Sequence, residues 1–243
     1  MESKNTVFSG NVIAAIILSL GFIVCSVIIG STLYGIKRMD NTITVTGSAR
    51  TKVSSDQVRW SISISRIAPT LNEGYSLMGR DLSSIKEFLQ KNGIDSKEIE
   101  ISQIYTNQPW LYSERSDRLH YQFNQEIVVT SKDLDKIEQV ARKLYDLVNQ
   151  GVNIVSNNVE FYYSQLPELR ISLLNEAMQD ARKRAFIIAK STGRRVGKVK
   201  SAKMGVVQVM APGSVEISDY GTYNTRTRDK EVMITVQATF YLR

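Results

Sequence analysis

The hydrophobic positions change period along the chain. Residues 12–36 read "VIAAIILSLGFIVCSVIIGSTLYGI", an uninterrupted apolar run without a charged side chain. A helix of about 20 such residues crosses the hydrocarbon core of a bilayer, so the run predicts a membrane anchor behind a short tail, residues 1–11. A cleaved signal peptide would need a basic start, a shorter apolar centre and small residues at a cleavage site. Here Lys4 is the only basic residue before the run, and Val24 and Cys25 lack the small neighbours of a lipid-attachment site, so an uncleaved anchor is favoured.

From residue 41 the period shortens. Ile43 and Val45 alternate with polar neighbours, then Val58, Trp60, Ile62 and Ile64 alternate with Arg59, Ser61, Ser63 and Ser65, the period-two signature of strands. The stretch is expected to form a β-hairpin. Leu71, Tyr75, Met78, Leu82, Ile85 and Leu89 then recur every three or four residues, with Asn72 as a candidate cap and Gly93 as the stop, which predicts a helix. Strands follow around residues 99–105 and 121–130. A second helix carries Leu134, Ile137, Ala141, Leu144 and Val148 behind Ser131 and closes near Gly151.

Residues 152–163 predict another strand. The segment "LPELRISLLNEAMQDARKRAFIIAKSTG" predicts the longest helix, its inner stripe being Leu174, Ala177, Met178, Ala181, Ala185, Ile188 and Ala189. So many alanines let a helix backbone approach a sheet closely. Strands near residues 199–209 and 231–242 complete an α+β plan, a largely antiparallel sheet with helices packed on one face, as a single domain over residues 41–243.

The segments "ITVTGSARTKVSSDQVRWSISIS", "GIDSKEIEISQIYTNQPW", "GVNIVSNNVEF", "LLNEAMQDARKRAFIIAKSTGRRVGKV" and "ITVQATFYL" together resemble the SIMPL-domain family, the YggE-like (DUF541) envelope proteins. Ser55 departs from the family pattern, in which a proline commonly precedes the aspartate at Asp56. The resemblance implies an extracytoplasmic domain, assembly into large homo-oligomers and a link to envelope or oxidative stress. It brings no catalytic residues with it.

The anchor's flanks pull the other way. Lys37 and Arg38 follow the span, and the positive-inside rule would place them in the cytoplasm. Two residues make a small bias, so the resemblance decides the expectation: a single-pass protein of the inner (cytoplasmic) membrane with its C-terminal domain outside the cytoplasm. The sole cysteine, Cys25, lies in the span, which excludes a disulfide in the soluble part.

Composition offers little to catalysis. The one histidine, His120, stands near Ser113, Ser116 and Asp117, but neighbours in one loop rarely adopt triad geometry. One histidine and no thiol outside the membrane leave zinc without its usual ligands. No calcium loop or phosphate-cradling glycine loop is recognisable, so no cofactor or metal is expected. A hydrolase or small-ligand-binding enzyme using the loop around His120 is the alternative reading.

Charge changes the picture more. The net charge is +7, and residues 181–215 hold nine basic and no acidic side chains. Solvated helix faces and cations at a helix C-terminus account for such a run. The sharper reading makes Arg182, Lys183, Arg194, Arg195, Lys198, Lys200 and Lys203 contacts for anionic lipid headgroups beside the anchor. Nucleic acid is not expected, because no aromatic residues interleave with these cations as stacking platforms. Finally, two long loops present Trp110 and Tyr112, and Tyr220 and Tyr223. Long loops are uncommon unless functional or mobile, and their aromatics are candidate oligomer or partner contacts. The expectation is a membrane-anchored, non-catalytic protein that self-assembles into a ring or cage.

Overall fold

A computed structural model describes residues 3–39, 41–108 and 120–243. Helix α1 spans Ser3–Met39, with side chains described from Ala15 to Leu33, all of them exposed. That 19-residue stretch is long and apolar enough to cross a membrane, reaching about 28 Å at 1.5 Å per residue. Its hydroxyls do not oppose burial in lipid. Ser19, Ser26, Ser31 and Thr32 each donate to a carbonyl three or four residues back, so no hydroxyl proton there needs water.

Among the described residues the remaining α-helices and strands are β1 (Thr42–Ser54), β2 (Gln57–Ala68), α2 (Leu71–Lys91), β3 (Ile99–Ile101), β4 (Tyr105–Asn107), β5 (Tyr121–Ser131), α3 (Leu134–Arg142), α4 (Tyr145–Asn149), β6 (Ile154–Tyr162), α5 (Leu166–Ser191), β7 (Val196–Met204), β8 (Gln208–Met210), β9 (Thr222–Tyr223) and β10 (Asp229–Leu242). The α+β class holds, with antiparallel pairing dominant. Among the described residues the strands form two five-stranded sheets, one ordered β1-β10-β8-β9 with β7 also on β10, the other β3-β5-β2-β6 with β4 also on β5.

The expected β1–β2 hairpin does not form, because the two strands belong to different sheets. The link between them explains why. Ser55 donates its N–H to the Arg228 carbonyl at 2.9 Å, whereas Asp56 donates to the Tyr162 carbonyl at 3.0 Å. Two successive peptide groups thus commit to different partners. Burial works against charge on Asp56, but the Ser164 hydroxyl and N–H, at 2.6 and 2.8 Å, hold its carboxyl below the usual value.

The chain divides into two compact units. The second comprises residues 50–173 and 206–234. Its core rests on β2, whose Val58, Trp60, Ile62 and Ile64 are fully buried between β5 and β6 and beneath Met78, Ile85 and Leu89 of α2 and Ile137 of α3. The Trp60 indole N–H donates to Asn157 at 2.7 Å, and the Asn157 amide donates on to the Ala141 carbonyl at 3.2 Å, so the one polar atom of the largest core side chain is satisfied. Gly74 of α2 lies flat on Phe123 of β5, where a β-carbon would stand 1.9 Å from the ring. Arg66 grips the buried Asp81 carboxylate through two bonds of 2.6 and 2.8 Å.

Local chemistry moves several expected boundaries. Thr70, not Asn72, caps α2 by accepting from Glu73 N–H, and Asp133 caps α3 by accepting from Lys136 N–H. The second helix is two, because the bonds from Lys143 and Leu144 contract to reach only three residues back, to Val140 and Ala141. The strand expected over residues 99–105 breaks where the Ser102 hydroxyl accepts the Glu126 N–H at 2.9 Å.

The first unit comprises residues 1–49, 174–205 and 235–243. Within it β7 runs antiparallel to β10, and Thr44 of β1 shares a hydrogen bond with Thr239 of β10. Helix α5 presents Ala177, Ala181, Ala185 and Ala189, each essentially inaccessible to solvent. This confirms the alanine face, but the strict four-residue period leaves Ile188 exposed and Leu174 and Met178 half-buried. Asp180 fixes the helix on β1 by accepting the Ser48 N–H at 2.9 Å. That bond, with help from Arg184, outweighs burial and holds the carboxyl below its ordinary value.

Candidate assembly and anion-binding surfaces

The basic cluster read from the sequence is not one patch. In the first unit, α5 and β7 bound a groove of about 570 Å³ whose floor includes Met178, Val199 and Phe240 and whose cations are Arg182, Lys198 and Arg243. Among the described residues no Asp or Glu side chain lines it. Arg194 instead donates to the Asn41 side chain at 3.1 Å, Arg195 pairs through its backbone with Arg243, and Lys200 stands 5.8 Å from the centre of the Tyr241 ring. Lys183 and Lys203 are exposed, and Arg184 is committed to Asp180 at 2.8 Å. Arg182 and Lys198 therefore converge, joined by Arg243, which lies beyond the basic run and gives no sign in the sequence of meeting it.

Lys198, Lys200 and Lys203 also share β7, which among the described residues pairs only with β10. Lysines on an outer strand discourage a second chain from pairing there. The outer edge of β6, in the second unit, lacks that protection. Among the described residues it pairs with β2 alone, residues 154–158 ("IVSNN") carry no charge, and Val155 is 58% exposed. Beside it, Leu144, Tyr145 and Val148 complete an open groove of about 330 Å³. Its far end is occupied, where the Phe161 N–H donates to the Thr225 carbonyl at 2.7 Å.

The structure separates the two late-loop tyrosines. Tyr220 is 97% exposed and Tyr223 only 37%. Tyr223 stacks on Tyr162 with ring centres 5.7 Å apart, and its hydroxyl oxygen accepts the Tyr163 N–H at 3.0 Å. Burial, followed by the neighbouring Glu160 carboxylate, pushes the Tyr162 phenol above its ordinary value.

Behind them lies Lys230, which the sequence does not announce. It is fully buried, donates to the carbonyls of Asn224 and Thr227 and places its ammonium 5.5 Å from the Tyr223 ring centre. Burial draws its pKa down to about 8. The Asn224 side chain accepts from Arg226 and Thr227, and Ser55 binds the Arg228 carbonyl. Residues 223–230 are thus a fixed structural knot.

Trp110 and Tyr112 lie outside the described residues, as do Ser113, Ser116 and Asp117. His120 is half-buried at the entry to β5. Among the described residues no three His, Cys, Asp or Glu side chains gather closely enough to hold a metal ion.

Comparison with known proteins places this architecture. The chain is 26% identical over 160 residues to an interleukin-1 receptor-associated kinase 1-binding protein 1 homolog of Xenopus laevis, an alignment covering 64% of this chain and 60% of that protein. The chain therefore spans about three fifths of that relative's length. The family model described as "SIMPL: Protein of unknown function (DUF541)" matches residues 43–240, nearly everything beyond the apolar helix, and the chain belongs to the SIMPL family.

Proposed function

We propose that this chain is a membrane-tethered assembly module, not a catalyst. Helix α1 remains attached as a single-pass anchor in the cytoplasmic membrane, the SIMPL domain lies on the extracytoplasmic side, and copies associate into a homo-oligomer that serves the cell under envelope or oxidative stress. The observation that carries the reading is the uncovered outer edge of β6. An uncharged edge beside an apolar groove is a template for strand pairing, and it contrasts with the lysine-bearing edge of β7. The relative named for binding another protein also supports a binding role over a catalytic one.

Tethering strengthens such contacts. An anchor confines the copies to two dimensions, so an interface tight enough to hold in detergent is saturated at the effective concentrations near the millimolar range that the membrane provides. The basic residues of the first unit supplement the anchor by attracting anionic headgroups of the same bilayer, each contributing about 1 kcal/mol. The test is Val155→Lys in the full chain, purified in detergent. It is expected to shift the protein from the wild-type size to smaller species while leaving its thermal unfolding unchanged. A variant that keeps the wild-type size would remove β6 from the interface.

A further inference from the structure

We infer that the groove between α5 and β7 is a binding site for an individual anionic phospholipid of the bilayer that α1 enters. The inference rests on the reading of α1 as a membrane span and adds a defined site to what would otherwise be diffuse attraction.

Three observations converge on this occupant. First, the lining is amphiphilic. The side chains of Arg182, Lys198 and Arg243 supply positive charge and, among the described residues, no Asp or Glu opposes them, while Met178, Val199 and Phe240 offer apolar surface. A free phosphate would use only the cations and a hydrocarbon only the floor. A phospholipid uses both, its phosphate against the guanidinium groups and its glycerol and first methylenes over the floor. Second, a volume of about 570 Å³ lies within the roughly 300–1,000 Å³ typical of small-molecule sites.

Third, the chain itself holds the groove near the headgroups. The Asn41 carbonyl accepts the Leu242 N–H at 2.8 Å, and Arg243, which lines the groove, exchanges two backbone bonds of 2.8 Å with Arg195. Helix α1 ends at Met39, and two steps of 3.8 Å bring Asn41 within about 8 Å of that end. The six residues from Leu33 to Met39 add about 9 Å along the helix. The strand ends that frame the groove therefore lie no more than about 17 Å from the end of the span, within reach of lipids whose headgroup layer is about 5–8 Å thick.

The experiment uses the full-length protein in detergent, with phosphatidylglycerol or phosphatidylcholine added and the retained lipid counted by native mass spectrometry. Wild-type protein is expected to retain phosphatidylglycerol in preference to phosphatidylcholine. Arg182→Gln with Lys198→Gln should lower that retention by about 25-fold, at roughly fivefold for each cation removed. Lys86→Gln with Lys143→Gln removes the same charge from exposed positions of the second unit and should match wild type. Val199→Trp fills an exposed part of the floor without changing charge and should also abolish retention, and circular dichroism confirms that each variant is folded.

Equal losses in both charge pairs, or normal retention in Val199→Trp, would overturn the site and leave the membrane anchor standing. Glycerol phosphate that competes as well as the lipid would show a headgroup-only anion site and overturn the phospholipid. A full-length protein that fails to incorporate into phosphatidylcholine vesicles at all would overturn the span reading on which the inference rests.

Discussion

Gly47 on β1 faces Ala177 on α5 so closely that a β-carbon at Gly47 would stand 2.2 Å from the Ala177 carbonyl oxygen and 2.4 Å from the Ala181 nitrogen. Both obstacles are backbone atoms, which cannot rotate aside. Gly47→Ala is expected to destabilise the protein by about 3 kcal/mol, the upper end of the usual overpacking range. Urea unfolding of the detergent-solubilised protein measures it, and an unchanged midpoint would contradict this packing of α5 on β1.

Gly79 predicts the opposite sign. It lies inside α2 with nothing within 4 Å of its would-be β-carbon, so alanine there gains helix propensity without a clash. Gly79→Ala should stabilise by about 0.5–1 kcal/mol in the same measurement.

Lys230 predicts a pH dependence. In the unfolded chain a lysine keeps its proton to about pH 10, whereas the buried amine releases it at about 8. Between those values the unfolded state binds more protons, so stability rises with pH across that window. Lys230→Met should lack this rise, and the stability gap between wild type and variant should widen from about pH 7.5 to about pH 9.5. A constant gap would mean that the amine titrates as an exposed lysine does.

Tyr220 and Tyr223 should behave differently although they lie three residues apart. Tyr223→Phe deletes the acceptor for the Tyr163 N–H and should cost about 1 kcal/mol of stability. Tyr220→Ala should leave stability unchanged, since the side chain is 97% exposed. If Tyr220 serves an interface, that variant weakens association by about 2 kcal/mol, read from the concentration dependence of size.

The elements with a clear period were legible in the sequence: the apolar span, the alternation in β2, and the alanine face of α5, which period alone places on a sheet. Partnership was not legible. The pattern over β1 and β2 suits a hairpin as well as it suits two strands in separate sheets, and what decides is that Ser55 bonds Arg228 while Asp56 bonds Tyr162, residues more than 100 positions away. The groove is half legible. Arg182 and Lys198 stand out as part of a basic run, but Arg243 joins them only through the β7–β10 pairing. Lys230 looks like any surface lysine in "TRDKEV", because burial depends on the loop that folds over it. The uncovered edge of β6 could not be read either, since a strand's period says nothing about which side lacks a neighbour.

The central claim is assembly at the membrane, and the mass of the full-length protein in detergent tests it most directly. Light scattering coupled to size-exclusion chromatography, corrected for bound detergent, should give a defined multiple of the 27.4 kDa chain that persists on dilution into the micromolar range. A monomer at every concentration, with the apolar helix present, would contradict the account.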